Sequence, residues 1–192
     1  ILATLTAINF YVDIKKLRKD IFLNFKNPAG RGDISKVRVG NKQFFLVDES
    51  YNSNPLSLKT AIENYDEIES NNSKKYLILG DMLELGKNSL VQHKLISKIV
   101  NKSKINQVYV IGKYIKETFK NLQSNKKGKI LNNKFDIIDI INKDLNNNDY
   151  LMIKGSNSTG LYRITDHLKR KGQNVIWVST KLCWDIYFFK CI

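Results

Sequence analysis

Three polar loops in the sequence carry side chains that could bind a ligand, and each follows a short hydrophobic run. The first extends from Asp48 to Pro55, the second from Gly80 to Gly86 and the third from Lys154 to Gly160. Hydrophobic runs of this length predict buried strands. In an open α/β sheet, ligands bind beyond the carboxyl ends of the strands. The three loops are therefore predicted to form one binding site.

The first loop combines a carboxylate, an aromatic ring and two amides. Asp48, at a strand end, could accept hydrogen bonds from both hydroxyls of a ribose, as acidic residues do in dinucleotide-binding folds. Tyr51 offers a ring face for a base, and Asn52 and Asn54 offer donor and acceptor groups. The alternative is an Asx turn that leads into a helix. The density of polar groups favours a binding loop.

The third loop has the composition of an anion pocket. Its residues are Lys154, Gly155, Ser156, Asn157, Ser158, Thr159 and Gly160. Glycines permit a close backbone approach, free N–H groups at a helix N-terminus attract negative charge, and the lysine adds a cation. The loop is not a Walker A sequence, because the Gly-Lys-Ser/Thr ending is missing. It suits a carboxylate or a phosphate, and an ordinary helix N-cap is the alternative.

The second loop carries two carboxylates between its glycines, Asp81 and Glu84, while Leu83 and Leu85 are predicted to pack inward. The carboxylates could bind an ammonium group or orient a neighbouring loop. Acidic residues that complement the dipole at a helix start are the structural alternative.

Several single residues of reactive type are also assigned from the sequence. Arg31 lies between two glycines, where its guanidinium could reach across an interdomain cleft to a phosphate, and a solvated linker arginine is the alternative. His93 and His167 are predicted to be packing or surface residues rather than ligands. Cys183 and Cys191 lack metal-site spacing, so no metal site and no disulfide framework are predicted.

The elements that position these residues follow a strand, loop, helix rhythm from about residue 37. Strands are predicted near 37–39, 43–48, 76–80, 107–111, 129–131 and 150–153, and helices near 56–69, 89–102, 114–123, 136–145 and 160–171. This alternation predicts an α/β fold with a mostly parallel sheet and helices on both faces. Two further helices are predicted at 2–10 and 14–25, ahead of a Pro- and Gly-containing boundary.

Composition limits the classes of partner. The chain has 192 residues, 42% hydrophobic residues and a formal net charge of +14. A folded globular protein is expected from the hydrophobic content. The lysines are spread among asparagines rather than clustered, so a compositional bias is favoured over nucleic-acid binding. No segment approaches the ~20 apolar residues of a membrane span, and no membrane insertion is predicted. The chain does not begin with Met, which suggests a piece of a longer protein.

Together the motifs resemble the C-terminal part of a Mur ligase. The residues that carry the resemblance are Gly30-Arg31, Asp48 to Pro55, Leu79 to Gly86 with His93 following, and Lys154 to Ser158. Among Mur ligases they are most similar to the branch that adds D-alanyl-D-alanine to UDP-N-acetylmuramoyl-tripeptide in peptidoglycan synthesis. The resemblance implies the end of a central ATPase domain at 1–36 and a Rossmann-like domain at 37–173. Residues 174–192 are an aromatic and Cys-containing tail without a match, for which a non-native extension is favoured over an extra strand at the sheet edge.

The resemblance also implies an activity, ligands and residue roles. The expected reaction is an ATP-dependent amide ligation through an acyl phosphate, in the bacterial cytoplasm, by an enzyme that is a monomer at full length. ATP and Mg2+ are the implied cofactors, with the phosphate loop and the metal ligands upstream and no catalytic residue in this piece. ATP contacts are implied for Arg31, Asp48, Tyr51, Asn52 and Asn54. Dipeptide contacts are implied for Asp81, Glu84, Lys154, Ser156, Asn157 and Ser158.

Two other hypotheses stay open on the sequence. A stand-alone α/β binding module without catalysis, similar in outline to a receiver domain, would use Asp48, Glu49 and Asp81 as its acidic cluster. It leaves the loop at 155–160 without a role. Nucleic-acid binding driven by the positive charge would show a steep salt dependence.

Overall fold

The computed structural model describes residues 28–70 and 72–171 of the chain. Within these residues, six strands form one sheet in the order β1-β2-β6-β3-β4-β5. The strands are β1 (Asp33–Val39), β2 (Lys42–Glu49), β3 (Lys75–Gly80), β4 (Gln107–Ile111), β5 (Lys127–Ile130) and β6 (Tyr150–Lys154). The α-helices in the same part of the chain are α1 (Pro55–Glu67), α2 (Ser89–Lys102), α3 (Lys116–Lys120), α4 (Asp136–Lys143) and α5 (Tyr162–Lys171).

The sheet is mostly parallel because helical connections join most of its strands. β2 with β6, β6 with β3, β3 with β4 and β4 with β5 are all parallel pairs. β1 and β2 form an antiparallel hairpin at one edge. Every residue of the central strand β3 is buried, as expected for a strand with a helix layer on each face.

Two hydrophobic clusters lie on opposite faces of the sheet, because successive strand residues point in opposite directions. Leu77 and Leu79 pack with residues of α1 and α2 on one face, whereas Ile78 packs with residues of α4 and α5 on the other. Burying one such side chain stabilises the fold by ~1.5–3 kcal/mol. The predicted α/β class, with a mostly parallel sheet and helices on both faces, is confirmed.

Helix α1 begins where the sequence predicts. Asn54 is its N-cap and accepts a hydrogen bond from the Ser57 amide, while the Ser57 hydroxyl accepts one from the Asn54 amide. Pro55 occupies the first turn, where a missing N–H costs nothing. Leu58 and Tyr65 are among the side chains that the helix buries against the sheet.

Some predicted bounds differ from the structure. β1 begins at Asp33 rather than near 37, because its first residues pair with the end of β2. The helix predicted at 114–123 is the short α3 (Lys116–Lys120), because Asp81 holds the preceding backbone in a loop. The helices predicted at 2–10 and 14–25 lie outside the described residues, as does the tail at 174–192. Of the segment 1–36 that was assigned to the ATPase-domain end, residues 28–36 are described, and Asp33 to Lys36 belong to β1.

Candidate functional site

The three polar loops lie side by side at one edge of the sheet. They follow β2, β6 and β3, which are neighbours in the strand order. Ser156 joins all three loops. Its amide donates to the Asp81 carbonyl at 3.1 Å, its hydroxyl donates to the Ser53 carbonyl at 3.2 Å, and the same hydroxyl accepts from the Leu83 amide at 2.9 Å. The predicted meeting of the loops is therefore present in the structure.

Asp48, the penultimate residue of β2, has its carboxylate directed into the protein. The side chain is 1% exposed and accepts hydrogen bonds from the Ser50 amide at 3.0 Å and from the Ser50 hydroxyl at 2.5 Å. Its other oxygen lies 2.5 Å from the Lys169 ammonium. A ribose could reach this carboxylate only if those partners moved. The ATP contact assigned to Asp48 stays a prediction.

Lys169 of α5 links two carboxylates that face each other across the β-hairpin. Asp33 and Asp48 are register partners, and the Lys169 ammonium lies 2.6 Å from the first and 2.5 Å from the second. Burial alone would lower the pKa of Lys169, but hydrogen bonds from its ammonium to the two carboxylates raise it. We call Asp33, Lys169 and Asp48 the ion triad. It fixes α5 against the start of the first binding loop.

Glu49 was named from the sequence only in the acidic cluster of the receiver-like alternative, and it was not assigned a ligand contact. Successive strand residues alternate in direction, so Glu49 points away from the side on which Asp48 is buried. Its carboxylate keeps 22% of its accessibility and lies 3.2 Å from the Lys154 ammonium. The sequence offered one signal for this difference, the alternating direction of side chains along β2. Neighbours such as Asp48 and Glu49 point to opposite faces, so only one of them can face a ligand.

Lys154 is a buried cation that joins the first and third loops. Its ammonium donates to Glu49 at 3.2 Å and to the Asn52 carbonyl at 2.9 Å, and the residue is 1% exposed. Burial lowers the pKa of Lys154, and the attraction of Glu49 opposes that change. The ammonium therefore holds the two loops together in this structure, and its predicted contact with the dipeptide is not tested.

Two of the residues assigned to ATP contact each other. The Arg31 guanidinium lies 4.3 Å from the centroid of the Tyr51 ring, and the ring is 48% exposed. The Tyr51 amide also donates to the Gly30 carbonyl at 3.1 Å. A Cβ at Gly30, whose φ is +73°, would lie 3.0 Å from the Cβ of Tyr51. This packing holds the Arg31 guanidinium over the Tyr51 ring.

The remaining polar residues of the first loop are partly engaged. The Asn52 side chain accepts from the Ser53 amide at 2.8 Å, and the Asn54 side chain caps α1. The Ser53 hydroxyl is buried and lacks a hydrogen-bond partner among the described residues. Because the carbonyl of the same residue accepts from Ser156, this hydroxyl lies where the loops meet. Ser53 was not singled out from the sequence, which gives no signal of an unpartnered group.

Asp81 in the second loop orients a neighbouring loop, one of the two roles considered for it. Its carboxylate accepts from the amides of Lys113, Tyr114 and Ile115 at 2.9, 2.9 and 2.7 Å. Glu84 is exposed with a φ of +66°. Their assigned contacts with a dipeptide stay predictions.

The inward packing predicted for the second loop needs a correction. Met82 is its fully buried side chain. Leu85 is partly buried at the margin of the core and Leu83 is partly buried. The Met82 side chain packs in the hydrophobic core, and its amide donates to the Nε2 atom of His93 at 2.9 Å. His93 is fully buried, in agreement with its predicted packing role.

The third loop uses much of its own hydrogen-bonding capacity. The amides of Thr159 and Gly160 donate to the carbonyls of Ser156 and Asn157. Asn157 and Ser158 are exposed at the rim of the site. The amides that bond within the loop are not available to an anion, so the predicted anion pocket has fewer free donors than its composition indicates.

Comparison with known proteins places the chain in a family. Residues 36–157 match the family described as "Mur ligase, glutamate ligase domain". A UDP-N-acetylmuramoyl-tripeptide–D-alanyl-D-alanine ligase of Buchnera aphidicola subsp. Baizongia pistaciae is 33% identical over 143 residues, which cover 73% of this chain and 30% of that protein. The ligase of the same name from Rickettsia prowazekii is 30% identical over 168 residues, covering 84% of this chain and 36% of that protein.

Solved structures share the fold. MurF ligase from Thermotoga maritima, in complex with ADP, aligns with a TM-score of 0.64 at 22% identity, covering 90% of this chain and 36% of that one. MurF from Acinetobacter baumannii aligns with a TM-score of 0.65 at 16% identity, covering 88% and 36%. The chain thus spans 30–36% of the length of these proteins. Since the family match includes β2 to β6, the first two loops and the third loop as far as Asn157, the chain belongs to the Mur ligase family.

Proposed function

We propose that this chain supplies the C-terminal domain of an ATP-dependent ligase that joins D-alanyl-D-alanine to UDP-N-acetylmuramoyl-tripeptide. The observation that carries the proposal is the 30–33% identity to two ligases of that name over 73–84% of the chain. The meeting of the three loops at Ser156 supports it, since a ligand placed there would touch all of them. The proposed substrates place the reaction in the bacterial cytoplasm. We also propose that the complete enzyme acts as a monomer.

In the proposed reaction, the terminal carboxylate of the tripeptide attacks the γ-phosphate of ATP, giving an acyl phosphate and ADP. The free amine of D-alanyl-D-alanine then attacks the acyl carbon. The tetrahedral intermediate loses phosphate and a proton to leave the new amide. Catalysis of this kind depends on orienting the reactants and on neutralising charge. The part of the chain that the structure describes would contribute orientation, by holding nucleotide and dipeptide at one edge of the sheet.

The ATP side of the site lies at the end of β2. The exposed Tyr51 ring and the Arg31 guanidinium provide a flat face for an adenine base and a cation for a phosphate. We propose that Glu49 accepts hydrogen bonds from the ribose hydroxyls, because its carboxylate is the accessible one. Asp48 would act indirectly, through the ion triad.

The dipeptide side lies where the loops after β6 and β3 meet. Asn157 and Ser158 are accessible at the rim and could bond a peptide group, whereas the Ser53 hydroxyl, which has no hydrogen-bond partner among the described residues, is buried. Lys154 and Ser156 would hold the loops in register for that contact.

Magnesium is not assigned to these residues. In residues 28–70 and 72–171, no group of three or more His, Cys, Asp or Glu side chains is arranged to hold a metal ion. Following the family resemblance, we place the Mg2+ ligands and the phosphate loop in other parts of a complete ligase. No helix in the same residues is long and apolar enough to cross a membrane.

The test is to obtain the coding DNA on the 5′ side, express the complete protein and measure amide formation. ATP, UDP-N-acetylmuramoyl-tripeptide and D-alanyl-D-alanine should yield one ADP for each amide. Omission of the dipeptide should abolish amide formation. The 192-residue chain alone should turn over nothing. ATP hydrolysis by the isolated chain, or a complete protein that forms no amide, would contradict the proposal.

A further inference from the structure

A fourth loop, from Gly112 to Ile115, belongs to the same edge of the sheet. It follows β4, the neighbour of β3. Asp81 reaches across from the end of β3 and accepts from three consecutive amides of this loop at 2.9, 2.9 and 2.7 Å. An ionised carboxylate offers about four lone-pair sites, so most of its capacity is taken. Asp81 has little left for a substrate ammonium, and its contacts make it a positioning residue.

The fourth loop and Asp81 fit each other closely. A Cβ on Gly112 would lie 2.5 Å from the Asp81 carboxylate, and the φ of Gly112 is +140°. Only glycine lacks the Cβ that would clash with the carboxylate, and only glycine adopts this positive φ without strain. His93 is buried behind the carboxylate, with its Nε2 atom 4.0 Å from an Asp81 oxygen. Because Nε2 accepts from the Met82 amide, the backbone next to Asp81 is fixed as well.

This arrangement presents Lys113 at the rim of the site. Lys113 is exposed, and its ammonium lies 5.4 Å from the centroid of the Tyr114 ring. Among the residues that the structure describes, no carboxylate forms a salt bridge with Lys113. Lys154, by contrast, is bound to Glu49 and is buried. The three hydrogen bonds to Asp81 fix the backbone of this loop, so the Lys113 ammonium is presented to an anion from a rigid main chain.

We propose that Lys113 binds the carboxylate of D-alanyl-D-alanine and that Asp81 positions it; this inference rests on the proposed function. The dipeptide amine must approach the acyl phosphate, which we place beside the ATP side at the end of β2, where β6 is the neighbouring strand. Neighbouring strands lie ~4.8 Å apart, so β4 is about 10 Å from β6. An extended dipeptide spans about 7 Å. With the amine near β6, the carboxylate falls towards the end of β4, within reach of a lysine side chain.

Titration of the full 192-residue chain with two probes tests the assignment. D-Alanyl-D-alanine carries the carboxylate, and D-alanyl-D-alaninamide lacks it. The wild-type chain should prefer the first by about ten-fold, which corresponds to about 1.4 kcal/mol. K113M should lose this preference while its affinity for the amide stays within two-fold. K116M, which removes an exposed lysine three residues away, should keep the preference.

D81N tests the positioning role separately. Amide exchange at residues 113–115 should become faster than in the wild type, and the preference for the carboxylate should fall, with a thermal melt showing that the chain is folded. Unchanged exchange in folded D81N would contradict the role of Asp81.

The outcomes separate this inference from the proposed function. If the wild-type chain prefers D-alanyl-D-alanine over its amide and K113M keeps the same preference, the role of Lys113 is overturned and the ligase proposal still stands. If K134M loses the preference and K113M keeps it, the carboxylate is bound by Lys134 rather than Lys113. Lys134 is the lysine whose ammonium lies against Gly160. A wild-type chain that binds neither probe would contradict the dipeptide site of the proposed function as well.

Discussion

Replacing Lys169 with methionine removes the cation of the ion triad. Its ammonium lies 2.6 Å from Asp33 and 2.5 Å from Asp48, so the variant leaves two facing carboxylates without a counter-charge. An exposed ion pair contributes ~0–1 kcal/mol, whereas breaking a buried one costs ~3–5 kcal/mol. Asp48 is fully buried, but the side chains of Lys169 and Asp33 keep 20% and 25% of their accessibility. We expect K169M to lower the free energy of unfolding by about 2–3 kcal/mol.

Urea denaturation at pH 7, followed by far-UV circular dichroism, measures this change. D48N/K169M is the matched double variant. It should recover about 1 kcal/mol relative to K169M, because the buried charge is then gone. Arg170 is exposed beside Lys169, and R170M should stay within about 0.5 kcal/mol of the wild type. If K169M also stays within about 0.5 kcal/mol, the reasoning about a buried triad is refuted.

The remaining predictions concern three other positions. Gly112→Ala should lower the free energy of unfolding by about 2–4 kcal/mol, because its Cβ would meet the Asp81 carboxylate. The control Gly40→Ala, at a φ of +58° with open space around it, should cost only ~1–2 kcal/mol. Equal costs in urea denaturation would contradict the close fit at Gly112. Ser156→Ala should cost about 1–2 kcal/mol, since its hydroxyl joins two other loops, and a cost near zero would argue against that role. Burial, with two nearby carboxylates, raises the pKa of Tyr76 to about 12 from 10.0. Its contribution to stability is complete below pH 10.0 and is lost towards pH 12. Burial also raises the pKa values of Tyr65 and Tyr109, so Y76F should lose stability less steeply than the wild type in alkaline urea titrations, and a parallel decline would refute the prediction.

Local features of the fold were predictable because neighbouring residues determine them. The capping of α1 by Asn54 and the Pro55 helix start follow from side chains within three positions of each other. The fully apolar run of β3 predicts a strand with a helix layer on each face, and the structure has one. The position of the three loops follows from the rule that ligand loops extend from parallel strand ends.

The direction of individual side chains was less predictable, because distant partners set it. Asp48 faces inward because Lys169, 121 residues later, supplies its counter-charge. Asp81 was assigned to a ligand, but in the structure it is bonded to amides more than 30 residues away. No local pattern in the sequence shows these pairings. The alternation of β2 alone could have separated Asp48 from Glu49.

A dipeptide titration tests most directly whether the loops form the amine-acceptor side of a ligase. Amide chemical shifts of the 15N-labelled chain would be recorded with D-alanyl-D-alanine and, as a control, with L-alanyl-L-alanine. We expect the D,D-dipeptide to shift residues in the ranges 52–54, 81–84, 112–115 and 155–159, with no comparable change from the L,L-dipeptide. Shifts confined to other parts of the described chain, or equal shifts from both dipeptides, would contradict a D-alanyl-D-alanine site at this edge of the sheet.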